Sequence, residues 1–152
     1  MSRYVNIENA RIIFRNFSGK EGKYNRAGER SFAVILDGDV SGLVDEGWNI
    51  KYLKPREEDE QPIPYISVSV RYDFAPPKIY AVTDGRPVLL DEEAVGELDY
   101  ADISFCDMVL SPYRWEVNGK SGVKAYLKTL YANIEKDPYA AKYSDENGNM
   151  PF

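Results

Sequence analysis

Lys124, Tyr126 and Lys128 fall at every second position of the segment Val123–Glu135. In an extended strand this spacing puts all three on one face, with Val123, Ala125, Leu127 and Thr129 on the other. Ammonium groups flanking an exposed phenol ring suit single-stranded nucleic acid. The lysines neutralise phosphates while the ring stacks on a base, worth roughly 1–3 kcal/mol per base. Cations adjoin aromatic rings again in Arg15-Asn16-Phe17, Lys23-Tyr24-Asn25-Arg26, Lys51-Tyr52, Arg71-Tyr72 and Tyr113-Arg114-Trp115. The stretch Ser18–Gly28 carries Gly19, Gly22 and Gly28 among the cations Lys20, Lys23 and Arg26, a flexible loop able to clamp a phosphodiester backbone. The candidate binding set is Arg11, Arg15, Lys20, Lys23, Tyr24, Arg26, Arg30, Lys51, Arg71, Arg114, Lys120, Lys124, Tyr126 and Lys128.

Aromatic residues are also good strand formers and core fillers, and the chain has 12 Tyr, 6 Phe and 2 Trp. Trp48, Tyr52 and Tyr72 are therefore assigned to the core, with Phe14, Phe32 and Phe105. Tyr24 and Tyr126 are set apart by the cations beside them.

The 152 residues include no His and one Cys. Ser–His and Cys–His catalysis, His-ligated zinc and Cys-rich metal sites are thereby excluded. Neither a Gly-x-x-x-x-Gly-Lys-Ser/Thr nor a Gly-x-Gly-x-x-Gly loop occurs. The acidic runs Glu57-Glu58-Asp59-Glu60 and Asp91-Glu92-Glu93 lack calcium or two-metal spacing and read as solvated loops. Cys106 reads as a small buried hydrophobe. No catalytic residue, cofactor or metal is expected, and the chain is read as a binding protein rather than an enzyme.

The net charge of −6 conceals segregation. Residues 1–30 hold seven basic side chains against three acidic, and residues 111–136 five against two. Residues 55–110 hold four against thirteen. Two basic stretches can thus meet on one face of an acidic protein. The composition and the lack of a long apolar run predict a soluble, intracellular, cytoplasmic protein with no membrane contact.

These side chains must be positioned by strands, since the apolar period is mostly two. Strands are expected at Val5–Phe17, Arg30–Leu36, Trp48–Leu53, Tyr65–Tyr72, Lys78–Thr83, Ile103–Val117 and Val123–Glu135. Short helical segments fit Val40–Glu46, capped by Asp39, and Asp91–Leu98. Asp84-Gly85 and the run Asn118–Gly122 are hairpin chemistry. The expected fold is mainly β: a Greek-key barrel of the oligonucleotide-binding (OB) type with extra hairpin strands and one or two short helices. An immunoglobulin-like sandwich is the architectural competitor. One domain over 1–136 is followed by a polar tail, 137–152, without apolar periodicity.

The body resembles phage-encoded single-stranded DNA-binding proteins of the OB fold. Asn16–Gly19 with the cationic loop after it, Gly47–Pro55 and Tyr113–Lys128 carry the likeness. The tip Met150-Pro151-Phe152, with Asp145 and Glu146 before it, resembles the tails of bacterial and phage single-stranded DNA-binding proteins. Only those two acidic residues supply charge, separated from the tip by Asn147-Gly148-Asn149. The resemblance implies coating of exposed single-stranded DNA in replication or recombination, and the leading reading is a binder with little sequence preference. It also implies recruitment of replication or recombination proteins through Asp145, Glu146, Met150, Pro151 and Phe152, and the host cytoplasm as location. The competing readings are an acidic interaction module for a basic partner, resting on residues 55–110, and a carboxylate nuclease, for which no paired-carboxylate motif is found. Oligomeric state is left open by the sequence.

Overall fold

The computed structural model describes residues 4–23, 25–38, 41–54, 57, 58, 60–73 and 75–135. Tyr24, Asp39, Val40 and the tail residues Asp145, Glu146, Met150, Pro151 and Phe152 lie outside the described residues.

Among the described residues, nine strands follow one another as β1 (Val5–Ala10), β2 (Ile12–Asn16), β3 (Arg30–Ile35), β4 (Lys51–Leu53), β5 (Ile63–Val70), β6 (Lys78–Thr83), β7 (Arg86–Leu90), β8 (Ile103–Val117) and β9 (Lys120–Ile134). The helix α1 (Ser41–Asp45) precedes β4, and a 3-10 turn, Val95–Asp99, precedes β8. The sheet runs β1-β8-β9-β5-β3-β2. Since β1 and β2 are consecutive halves of one strand broken at Arg11, this path closes into a barrel. Treating β1 and β2 as one strand and counting only the barrel's own strands, the order is that of the OB fold, with β5 and β9 meeting in parallel. That closure and parallel pairing dispose of the sandwich alternative. The β6–β7 hairpin is an addition, β6 pairing in parallel with β9 beyond its contact with β5.

Local chemistry accounts for the two hairpins. Asn118 and Gly119 have φ of 51° and 78°, and Asp84 and Gly85 have 52° and 74°. These are the left-handed pairs that a two-residue turn matched to strand twist requires. The barrel strands β3, β5 and β9 then send side chains inward. Phe32 and Val34 of β3, Ile66, Val68 and Val70 of β5, and Val123, Ala125 and Leu127 of β9 are buried. Phe17 stacks on Phe32 with ring centroids 5.2 Å apart. Trp48 is buried, its ring N–H donating to Glu46 Oε2 at 3.2 Å. Cys106 is buried too, and burial pushes its thiol up to about 12, so it stays an unreactive filler.

Three core assignments are corrected. Phe14 is 63% exposed, because its own φ of 52° and a register shift between Ile13 and Asn16 break the alternation. Tyr52 is 54% exposed on β4, which pairs with β5 alone. Phe105 is half-buried, since a register shift between Ile103 and Phe105 gives the inward position to Cys106. The expected strand at Trp48–Leu53 shortens to β4, with Trp48 held by an isolated parallel bridge to Val123. The helix expected within Asp91–Leu98 is only the 3-10 turn, and β7 is a strand that the apolar pattern missed.

Candidate nucleic-acid interface

The outer faces of β3, β5 and β9 meet in register. Ser31 lies opposite Ser69, and Ser69 opposite Tyr126, so small hydroxyl side chains sit between the β9 cations and the loop that joins β2 to β3. Two grooves share Ser69 and Lys124 and form one trough across this face. The first, about 530 Å³, is lined by Trp48, Ser67, Trp115, Gly122 and neighbouring residues. The second, about 640 Å³, is lined by Asn25, Gly28, Arg30, Arg71, Tyr72, Asp73 and Glu92, among others. Aromatic surface marks one end and charge the other. In an OB barrel the face of the second and third strands, with the loops at either side, is where single strands bind.

Trp115, noted in the sequence beside Arg114, was left out of the candidate binding set. It pairs with Gly122 across the β8–β9 hairpin. A Cβ on Gly122 would lie 2.8 Å from Trp115 Cζ2 and 2.9 Å from Cε2, so the indole covers the glycine. The available signal was Trp115 and Gly122 at equal distances from the Asn118-Gly119 turn. Tyr126 is half-buried among three neighbours. Lys124 Nζ stands 5.2 Å from its centroid, Arg71 Cζ stands 5.9 Å away, and Tyr113 packs edge-on at 6.3 Å. Lys124, Tyr126 and Lys128 share the outer face of β9, but Lys128 is bonded to the Tyr4 hydroxyl at 3.2 Å and does not line the trough.

Other candidate cations fall into three positions. Arg30, Arg71 and Lys124 line the trough. Arg30 is mostly committed to the fold: its side chain is 17% exposed, it donates to the Phe17 carbonyl at 2.9 Å, pairs with Glu92 at 3.2 Å, and stacks over Tyr72. Burial raises the Tyr72 hydroxyl above its ordinary range, opposed by Arg30. Lys20, Lys23 and Arg26 are exposed on the β2–β3 loop, where Lys20 meets the Tyr100 hydroxyl and ring. Lys120 is exposed beside the β8–β9 turn, Arg114 reaches the Glu46 carbonyl at 3.5 Å, and Lys51 is exposed opposite Tyr65. Arg11 is exposed where β1 gives way to β2, away from the trough lining. Arg15 has a structural duty, donating from Nη1 to the carbonyls of Leu98 and Ala101 at 2.8 and 2.7 Å. Among the described residues no acidic cluster has the arrangement of a metal site.

Asp73 grips Arg71 with both carboxylate oxygens, at 3.0 Å from Nε and 2.7 Å from Nη2. The guanidinium hydrogen bonds hold the Asp73 carboxyl below its usual range, and the same contact raises Arg71. Asp73 therefore stays ionised through neutral and mildly acid pH, and its attraction for Arg71 is lost as pH falls through the lowered Asp73 value. Asp73 occupies the two-oxygen acceptor position a phosphate would take. Asp73→Asn is expected to tighten binding of a single-stranded oligonucleotide a few-fold at low salt. It should also steepen the salt dependence by about 0.7, one further phosphate contact on a single strand. Fluorescence anisotropy across a salt series checks both, and unchanged affinity and slope would mean that Asp73 does not hold Arg71 back from a phosphate.

A family model described as "Putative phage ssDNA-binding domain" matches residues 2–149. Among solved structures, the single-stranded DNA-binding protein from bacteriophage Enc34 shares the fold. Its C-terminal truncation is 13% identical with a TM-score of 0.58, the match covering 89% of this chain and 87% of that one. The untruncated protein is 12% identical with a TM-score of 0.58, covering 95% and 88%. The same protein in complex with ssDNA is 13% identical with a TM-score of 0.55, covering 90% and 89%. No curated protein matches the chain.

Proposed function

Because the chain belongs to the family of phage ssDNA-binding domains, we propose that it binds single-stranded DNA along the trough over β3, β5 and β9. The observation that carries this reading is the continuity of the trough: an indole at one end and Lys124 with Arg71 at the other share one open groove. A duplex buries the π-faces of its bases, whereas a single strand offers them to Trp115 and Tyr126 and its phosphates to the cations. Stacking is available to every base, so recognition has little sequence preference.

The role this supports is coating and protecting exposed strands in phage DNA replication or recombination, inside the host cell. The tail extends the reading. Asp145 and Glu146 followed by Met150-Pro151-Phe152 offer charge, an apolar ring and, should the protein end there, a carboxylate to a replication or recombination partner with a basic-rimmed apolar pocket.

The test is anisotropy with labelled single strands of differing sequence and the duplex of one of them. Single strands should bind with similar affinities, tighter than the duplex, and weaken as salt rises, with a slope of roughly 0.7 per phosphate contact. Equal affinity for the duplex, or binding indifferent to salt, would refute the reading.

A further inference from the structure

The trough accounts for Trp115 and Lys124, with Tyr126 beside them, but leaves a second aromatic pair on the same side of the barrel. Phe14 stands 63% exposed, its ring meeting Tyr65 edge-to-face with centroids 5.6 Å apart. Tyr65 lies on the outer row of β5, two residues before Ser67, which lines the first groove. Directly opposite Tyr65 across the β4–β5 pair is the exposed Lys51. We propose that Phe14 and Tyr65 form a second base-stacking platform, continuing the trough along β5, with Lys51 placed for the adjoining phosphate. The proposal rests on the single-strand reading above and names a further stretch of the same ligand.

Three observations point to a nucleobase rather than to packing. The Phe14 backbone has φ of 52°, a conformation rarely adopted by a bulky aromatic side chain, and such outliers gather at functional sites. With a regular strand conformation, alternation from Ala10 and Ile12 would send this ring inward. The distortion instead delivers it to the surface beside another ring. A cation beside an exposed ring is the pairing that stacks a base and neutralises its phosphate, as Lys124 stands beside Tyr126 at the edge of the trough. The platform also joins the trough through Ser67 without an intervening acidic residue on the outer row of β5.

The test compares the parent protein with Phe14→Leu, which keeps an apolar side chain but removes the ring, and Phe14→Tyr, which keeps the ring. Tyr65→Leu supplies a second route at an ordinary strand position, and thermal midpoints confirm that each variant is folded. The probe is a labelled thymidine oligonucleotide of about 20 nucleotides, longer than the roughly 4–16 that one such barrel spans. Phe14→Leu and Tyr65→Leu should each bind about tenfold more weakly with an unchanged salt slope, since stacking carries no phosphate contact, and Phe14→Tyr should bind within about twofold of the parent. If the parent binds and Phe14→Leu binds equally well, the platform is overturned while the trough reading stands. If Phe14→Leu leaves binding intact but lowers the sedimenting mass, a second copy of the chain covers the pair and the proposal is likewise overturned. Failure of the parent to bind overturns both.

Discussion

Trp115→Ala is expected to weaken single-stranded DNA binding by roughly 5- to 150-fold, the equivalent of about 1–3 kcal/mol for one stacked base. The expectation follows from how the ring is held. The indole lies across Gly122, so one face is supported by backbone while the residue remains 38% exposed at the trough. A ring fixed in this way loses little freedom when a base stacks on its other face. Its removal should leave the thermal midpoint nearly unchanged, because the residue is outside the buried core. Gly122→Ala approaches the same result from below. The new methyl would lie 2.8 Å from the ring, so the indole must shift, and binding should weaken with Trp115 still present. Normal affinity in Trp115→Ala, measured by anisotropy on the folded protein, would remove the stacking end of the trough from the account.

The second large effect concerns Asp99, which never approaches the trough. Its Oδ1 accepts the Phe17 amide at 2.6 Å, and Oδ2 accepts the Ser18 amide and hydroxyl at 3.2 and 2.7 Å. These bonds fasten the root of the β2–β3 loop to the 3-10 turn. Gly96 of that turn approaches so closely that a Cβ there would lie 3.0 Å from Ser18 Cβ. A hydrogen bond to a charged acceptor contributes about 1.5–3 kcal/mol, and bonds sharing one acceptor are not additive. Asp99→Ala should therefore cost about 3 kcal/mol, lowering the melting temperature by roughly 6–12 °C for a domain of this size. The folded fraction should also bind DNA more weakly, since Lys20, Lys23 and Arg26 ride on the loop it anchors. Thermal denaturation followed by circular dichroism reads the first effect. An unchanged midpoint would show that the loop root is held by other contacts, such as Arg30 to the Phe17 carbonyl.

The strands that fold by alternation were legible. The expected Lys78–Thr83 and Ile103–Val117 coincide with β6 and β8, and Lys124, Tyr126 and Lys128 do share the outer face of β9. Hairpin dipeptides at Asn118-Gly119 and Asp84-Gly85 were legible for the same reason, their preference for left-handed φ being local. Bulges were not. A shift of one residue turns every following side chain to the other face, and nothing in the residue types at Ile13-Phe14-Arg15 announces it. That one irregularity moved Phe14 outward. The structural bonds of Arg15 and Arg30 were not legible for another reason: their partners, the Leu98, Ala101 and Phe17 carbonyls, are brought close only by the barrel. Three acidic residues of the negative middle of the chain have structural partners that the sequence did not show. Glu92 pairs with Arg30, Asp91 accepts the Ala94 amide, and Asp99 anchors the loop root.

Ultraviolet crosslinking of a single-stranded thymidine oligonucleotide to the full chain, with the attached residues identified by mass spectrometry, tests the central claim most directly. If the strand lies across β3, β5 and β9, crosslinks fall on Trp115 and Tyr126, and they disappear as salt displaces the DNA. Crosslinks confined to the stacked pair Tyr80 and Tyr131 on the β6–β9 face, with none on the trough, would contradict it.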